Sequence, residues 1–470
     1  MYSRLAYFGI RAESAENTPL TPNVFLGPKA VDVVTQYKSM PSSPILGVRD
    51  IQINPVKAAI DPPEGTLTIQ VEGKGFGYLL KAIFGSVNTG RYFPVSGGSG
   101  TFTVGETITG GTSSATATVV AFSAERDYIL VSSISGTFQA AETLTGGSSS
   151  ATATLGTFNT SVYGHEFKAP QNSLPTYTVD VGYLNEAFRL TGVRFHSITS
   201  LKQEDNILTA EIAFTARAEF KHARVTAAVT SGAGSKVIPV DQTQGLTTSD
   251  SIKVFRPSTG AFLDFASSGV KTHTPGSISS ETSVTVTNLQ TALAVGDLLM
   301  LAPATPSYSL AKEFSFIGGC VIRLADTVTS AIAASGASIE DFELVVENEL
   351  EGRHGANAAN MAGRFPTANH LKGLTASGSL TRAYPDMTML DRMRNQTQTA
   401  LQIRFTGDQI AATGLYYTLD FRLPDIRFNP FHPPIDEDNV LDEEMEYTVY
   451  RDSSAGYTAK ALLVTDLTSV

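Results

Sequence analysis

The chain has no tryptophan and a single cysteine, Cys320, in 470 residues. One cysteine excludes an intramolecular disulfide, so packing and hydrogen bonds must hold the fold, and folding in a reducing cytoplasm is expected. Without Trp, the aromatic platform common in glycan-binding sites is missing. No apolar run approaches the roughly 18 residues needed to span a bilayer. Residues 1–20 lack the basic-then-apolar order of a secretory signal. Positive charge is scarce as well: 34 Lys and Arg stand against 45 Asp and Glu, a formal net charge of −11. An acidic surface repels phosphate, which argues against gripping nucleic acid but leaves room for a surface that DNA slides past.

Signatures of chemistry are equally sparse. Gly73-Lys74-Gly75-Phe76-Gly77 invites a phosphate-loop reading, but its spacing is not Gly-x-Gly-x-x-Gly and no βαβ unit follows, so a tight turn is expected. The histidines, His165, His196, His222, His273, His354, His370 and His432, form no short metal-binding spacing. No Gly-x-Ser-x-Gly elbow occurs. Cys320 sits in the apolar run Phe316–Ile322 and reads as an inert, buried thiol. The acidic run Asp436–Glu446 lacks the glycine and spacing of an EF-hand loop. The expectation is a non-enzyme with no catalytic residue, metal or cofactor.

What the chain does have is material for many short strands. Hydrophobic residues make up 42% and charged residues 17%, with 40 glycines and abundant Ser and Thr, a mix that favours strands and tight turns over long helices. Thr66–Glu72 alternates polar and apolar residues, the period-two pattern of a strand with one dry face. A short helix over 78–84 follows, stopped by Gly85. Residues 95–160 change texture, being nearly uncharged and built on a repeat of 36 residues. Both copies carry Glu-Thr, an apolar residue, Thr-Gly-Gly and then Ser-Ser-Ala-Thr-Ala-Thr, which reads as two strands around a Gly-Gly turn. Residues 223–306 form a second foreign block, with strands at 237–240, 283–286 and 297–301.

With the foreign blocks removed, the remaining stretches repeat each other. A strand at 67–72, the helix 78–84 and strands at 177–181, 188–195 and 208–217 match a strand at 374–381, a helix at 387–394 and strands at 401–405, 416–423 and 445–450. Asp386 is a candidate cap for the second helix. Phe188-Arg189-Leu190 recurs as Phe421-Arg422-Leu423. The fold class expected is mainly β: two tandem β-sandwich or barrel domains, each with a short helix, plus two inserted small all-β domains. The boundaries are 1–94 with 161–222 for the first domain, 95–160 and 223–306 for the inserts, and 307–470 for the second domain with its C-terminal segment.

Acidic residues are the candidates for function. Asp341, Glu343, Glu347, Glu349 and Glu351 share one face of an extended strand, and Glu211 takes the polar face of 207–220. The bland reading is a solvated face. The sharper one makes Glu211, Asp341, Glu343 and Glu347 part of a negative wall that DNA does not stick to.

Several segments resemble the major tail tube proteins of long-tailed, siphovirus-type bacteriophages. Gly77-Tyr78-Leu79-Leu80-Lys81-Ala82-Ile83-Phe84-Gly85 is similar to the helix that follows a strand there. Gly164-His165-Glu166-Phe167 with Leu174-Pro175-Thr176-Tyr177 resembles the opening of the next strands. Phe342–Leu350, Gly373–Thr381 and the opening Arg4–Ile10 with Glu13 and Thr18-Pro19 are similar in order. The resemblance covers roughly 1–93, 161–222 and 308–470; the inserts depart from the pattern and suggest exterior decoration.

The resemblance implies a structural virion protein, made in the host cytoplasm, that self-assembles into stacked rings around a lumen. Its implied partners are further copies of itself, a tape-measure protein, and tail terminator and distal tail proteins. DNA would pass without specific binding during ejection, and no membrane is involved. Six single domains per ring, applied to a chain with two, give a homotrimer of pseudo-hexameric form; the competing arrangement is six whole chains. Rival readings are a secreted or surface adhesion or glycan-binding protein, a β-rich glycosidase with paired carboxylates, and another phage part such as a terminator or decoration protein.

Overall fold

A computed structural model of the chain describes residues 6–34, 37–38, 59–60, 62–168, 174–183, 186–279, 282–353, 368–383, 387–431 and 442–470. The fold is mainly β, of β-barrel type, with three short helices among the described residues. Fourteen strands build the repeated scaffold. Seven lie in the first half: β1 (Tyr7–Ala12), β2 (Pro28–Val34), β3 (Glu64–Gln70), β4 (Tyr177–Gly182), β5 (Ala187–Glu204), β6 (Ile207–Thr215) and β7 (Ala218–Phe220). Seven lie in the second: β8 (Cys320–Ala325), β9 (Asp341–Arg353), β10 (Ala368–Ala383), β11 (Thr399–Gln409), β12 (Tyr416–Phe428), β13 (Asp442–Tyr450) and β14 (Lys460–Thr465).

Each strand of the first half has its counterpart seven places later. The antiparallel pairs β1–β4, β2–β3, β3–β6, β4–β5, β5–β6 and β5–β7 recur as β8–β11, β9–β10, β10–β13, β11–β12, β12–β13 and β12–β14. Register is kept as well. Arg194 faces Thr215 and Arg427 faces Thr448; Leu67 faces Ile212 and Leu380 faces Met445. Even a bulge recurs, between Tyr177 and Val179 in β4 and between Thr399 and Leu401 in β11. A one-residue slip would turn a whole strand inside out, so a shared register is a far stricter match than a shared strand count.

Two glycines carry the same duplication to single atoms. A Cβ on Gly65 would overlap the ring of Phe214 and the carbonyl of Asp32; one on Gly378 would overlap the ring of Tyr447 and the carbonyl of Glu343. Phe214 and Tyr447 are counterparts, as are Asp32 and Glu343. In each half glycine is the residue that lets an aromatic ring lie flat on the neighbouring strand.

Helix α1 (Phe76–Phe84) follows β3 and helix α3 (Thr388–Arg394) follows β10. Gly85 closes α1 in the left-handed conformation at φ 84° and donates its N–H to Lys81 O. Asp386, the expected cap of α3, lies outside the described residues, and Met387 holds the cap position without a side-chain bond. Helix α2 (Val328–Ala333), capped by Thr327, was not expected. With only Val328 and Ala331 buried, its apolar period is too short to stand out in the sequence.

One antiparallel run, β2-β3-β6-β5-β9-β10-β13-β12, crosses both halves. The only link between halves in this run is β5–β9, with Ser197 opposite Glu347 and Lys202 opposite Glu343. A second layer is formed by β1, β4 and the N-terminal part of β5 in one half, and by β8, β11, β12 and β14 in the other. Strand β14 continues into Tyr163–Lys168, which pairs with Val87–Ser99. Between the layers lies one continuous apolar core, including Phe8, Leu67, Leu80, Phe195, Phe214, Phe342, Leu380, Phe405, Phe421 and Met445.

The inserted blocks have cores of their own. Residues 93–158 pack around Phe93, Ile108, Val119, Phe138 and Leu144. Residues 220–301 pack around Phe220, Val240, Val254, Val286 and Leu299. In the first block each repeat copy is a hairpin, Thr107–Gly110 with Thr116–Phe122 and Thr143–Gly146 with Thr152–Leu155. The hairpins pair with each other and exchange caps. Glu106 accepts from the backbone N–H of Ser148 and Ser149 at 3.0 and 2.9 Å, while Glu142 accepts from those of Thr112 and Ser113 at 3.1 and 2.9 Å. Burial works against the Glu106 carboxylate, but the Ser149 and Thr103 donors outweigh it and bring its pKa down to about 2. The shared Glu-Thr and Ser-Ser strings of the repeat are the two halves of this exchange.

Candidate functional site

The face of the continuous sheet turned away from the core is polar, and it is where the candidate carboxylates lie. On β9, Phe342, Leu344 and Val346 enter the core. Period-two alternation sends Asp341, Glu343 and Glu347 to the other side. Asp341 and Glu347 are exposed and Glu343 is half-buried. On β6, Glu211 is exposed between buried Ala210 and Ile212. Strand β5 lies between them. Ser200 stands opposite Glu211 in register, and its hydroxyl donates to Glu343 Oε1 at 2.6 Å. The structure therefore brings Glu211, Glu343 and Glu347 onto one face, on the two strands that flank β5, with Asp341 at its margin opposite Thr381.

The same face extends onto β13, where exposed Asp442, Glu444 and Glu446 alternate with buried Glu443, Met445 and Tyr447. Hydroxyl residues fill the places between: Thr68 opposite Glu211, Ser379 opposite Glu343 and Glu446, and Thr375 opposite Glu347. Several basic groups at its borders are tied to carboxylates. Lys29 bonds Glu204, Arg194 bonds Glu16 at 2.8 Å, and Lys372 bonds Glu349 at 3.1 Å. The result is an acidic, hydroxyl-rich surface.

The other candidate features have structural explanations. In the Gly73–Gly77 turn, the amides a phosphate would need are taken by the chain's own Glu72. Its carboxylate accepts from Lys74 N at 2.8 Å, from Gly75 N, and from Ala311 N at 2.9 Å. Burial raises the Cys320 thiol to about 12, far from the thiolate a nucleophile needs. Among the described residues no group of three His, Cys, Asp or Glu side chains is placed to hold a metal ion. No described helix is long and apolar enough to cross a membrane. A cleft of about 200 Å³ beside the second insert is lined by Tyr183, Glu186, Phe188, Lys221, His222 and Met300. It holds one carboxylate, whereas glycoside hydrolysis uses a converging pair.

Residues 280–449 match the family model described as phage tail tube protein. Over these residues the chain is similar to phage tail tube proteins. No curated protein matches the chain. The matched region runs from within the second insert through β8 to near the end of β13, and so includes Asp341, Glu343 and Glu347. Glu211 lies outside it, but on β6, the counterpart of β13. The match supports a structural tail tube role and a place in the virion tail.

Two features escaped the sequence reading. One is the cap exchange of Glu106 and Glu142. The other is the role of the arginine in the repeated Phe-Arg-Leu string, which was visible only as texture. An arginine between two core-facing residues on a buried strand, present in both halves, was the available signal.

Proposed function

We propose that this chain is a structural, non-enzymatic subunit of the tail tube of a long-tailed bacteriophage, and that three copies close each ring. Residues 1–94 with 161–222 and residues 307–470 act as two tube domains, and rings stack into a tube. The observation that carries the reading is the contact between halves within the continuous eight-strand run, β5 with β9. Strand β12 is the counterpart of β5, and β2 is the counterpart of β9. The same contact made between copies would join the β12 end of one chain to β2 of the next. Among the described residues β2 pairs only with β3, and an open strand edge is a template for another chain. Head-to-tail repetition of one contact closes a ring when the rotation allows it. Fusing two domains makes every second contact intramolecular, which lowers the entropic cost of closure.

The acidic face would then line the lumen. A wall in which carboxylates outnumber basic groups gives tape-measure protein and DNA little to hold, and it avoids the counterion release by which a basic wall would bind duplex tightly. Copies of itself, the tape-measure protein and the proteins at either tube end are the partners this role requires. The chain would be made in the host cytoplasm before entering the virion tail.

Negative-stain imaging of the purified chain at high concentration tests the reading. Rings or tubes with three chains per ring and pseudo-sixfold form are expected. A strictly monomeric protein would refute the tube, and six whole chains per ring would refute the trimer.

A further inference from the structure

The inserted modules are docked by the same residue of the repeat. Arg189 on β5 and Arg422 on β12 are counterparts, and both are among the largest fully buried side chains. In each Phe-Arg-Leu string the leucine, Leu190 or Leu423, enters the central core. Alternation therefore turns the arginine outward through the second layer, away from the core and away from the acidic face. There it meets an insert.

Arg189 reaches the 223–306 module. Its guanidinium donates to Asp250 Oδ2 and Oδ1 at 2.7 and 2.9 Å and to the carbonyl of Gly245 at 2.8 Å. The rest of the fork grips Asp180 on the scaffold strand β4, at 2.6 and 2.7 Å. Arg422 reaches the 95–160 module in the same manner. It donates to Glu125 Oε2 at 3.0 Å, to Ser123 Oγ at 3.2 Å and to both oxygens of Asp127. On the scaffold side it grips Asp420 at 2.8 and 3.1 Å. Gln402 stands at the β4 position of Asp180 and donates to Asp420 at 3.0 Å. Lys460 adds a second cation to Glu125, at 2.6 Å.

We infer that each half of the scaffold carries one module-docking site on its outer face, at the same place in the repeat, with Arg189 and Arg422 as the positioning residues. A guanidinium forked between a scaffold carboxylate and a module carboxylate fixes orientation as well as distance, because rotating the module breaks paired bonds together. The two modules are unrelated in sequence pattern and core, yet they sit at corresponding positions. In a three-chain ring, which rests on the tube reading above, the two module types alternate around the outside at equal steps.

Hydrogen exchange on the unassembled full chain tests the anchors. Arg422→Met is expected to raise exchange in 116–135 by about tenfold or more, the effect of losing a strong charge-assisted contact, and to leave 64–84 unchanged. Arg189→Met is expected to do the same in 245–256. Arg422→Lys and Arg189→Lys, which keep the charge and lose the fork, serve if the Met variants do not fold, and the same regional loss is expected. Unchanged exchange in both modules would overturn the anchoring. Averaged images of assembled rings test the arrangement: six outer lobes of two alternating shapes support it, and modules clustered on one arc or facing the lumen overturn it. A chain that forms no ring overturns the arrangement together with the tube reading, while the exchange result still decides the anchors.

Discussion

Reversing the charge of the acidic face should turn a wall that DNA passes into one that holds it. Glu211→Lys, Glu343→Lys and Glu347→Lys replace three carboxylates on the two strands that flank β5 and move each chain from −3 to +3 at these positions. Glu211 and Glu347 are exposed, so their replacement leaves the core untouched; Glu343 gives up its bond from Ser200. Each lysine that neutralises a phosphate adds about −0.9 to the slope of log affinity against log salt, so three contacts per chain give about −2.7, or roughly a fortyfold loss between 50 and 200 mM salt. The assay is co-sedimentation of assembled tubes with short duplex DNA across that range. Wild-type tubes are expected to retain little DNA at any salt, and the triple variant to retain it at low salt and release it along this slope. Wild-type tubes that hold duplex with the same salt dependence, or a variant that gains none, would refute the reasoning.

Other consequences follow from the core and the modules. Gly378→Ala and Gly65→Ala should each destabilise by about 1–3 kcal/mol through overpacking against Tyr447 or Phe214; equal midpoints with wild type in denaturant titration would contradict the shared ring-on-glycine contact. Burial pushes His165 down to about 4 while its ring bonds Thr89 and Leu467 O. Its folded pKa lies below the unfolded value of about 6.5, so its contribution is complete above pH 6.5 and falls as pH drops towards 4, by on the order of 3 kcal/mol. Thermal melts of His165→Gln against wild type over that range should show a shallower acid loss. Deleting residues 100–155, a block the sequence alone marks as removable, takes Glu125 and Asp127 away from Arg422 and Lys460. Loss of buried partners of this kind costs about 3–5 kcal/mol, so rings should still form but melt at lower temperature. An unchanged melting point would show that the cluster contributes nothing.

The sequence by itself determined the strand texture, the two short helices after β3 and β10, the foreign blocks and the duplication. All of these rest on local signals: alternation with period two, glycine stops and repeated strings such as Phe188-Arg189-Leu190 and Phe421-Arg422-Leu423. It also put Asp341, Glu343 and Glu347 on one face, because neighbours two apart on a strand must share a side. The tertiary structure decided what those signals leave open. Which strands are adjacent depends on contacts between residues far apart in the chain, so the joining of Glu211 to the β9 carboxylates through β5 had no local trace. The Phe-Arg-Leu string was legible, but not that its arginine would be fully buried. A charge on a strand is ordinarily read as solvated, and only the carboxylates brought by a distant insert make burying it affordable.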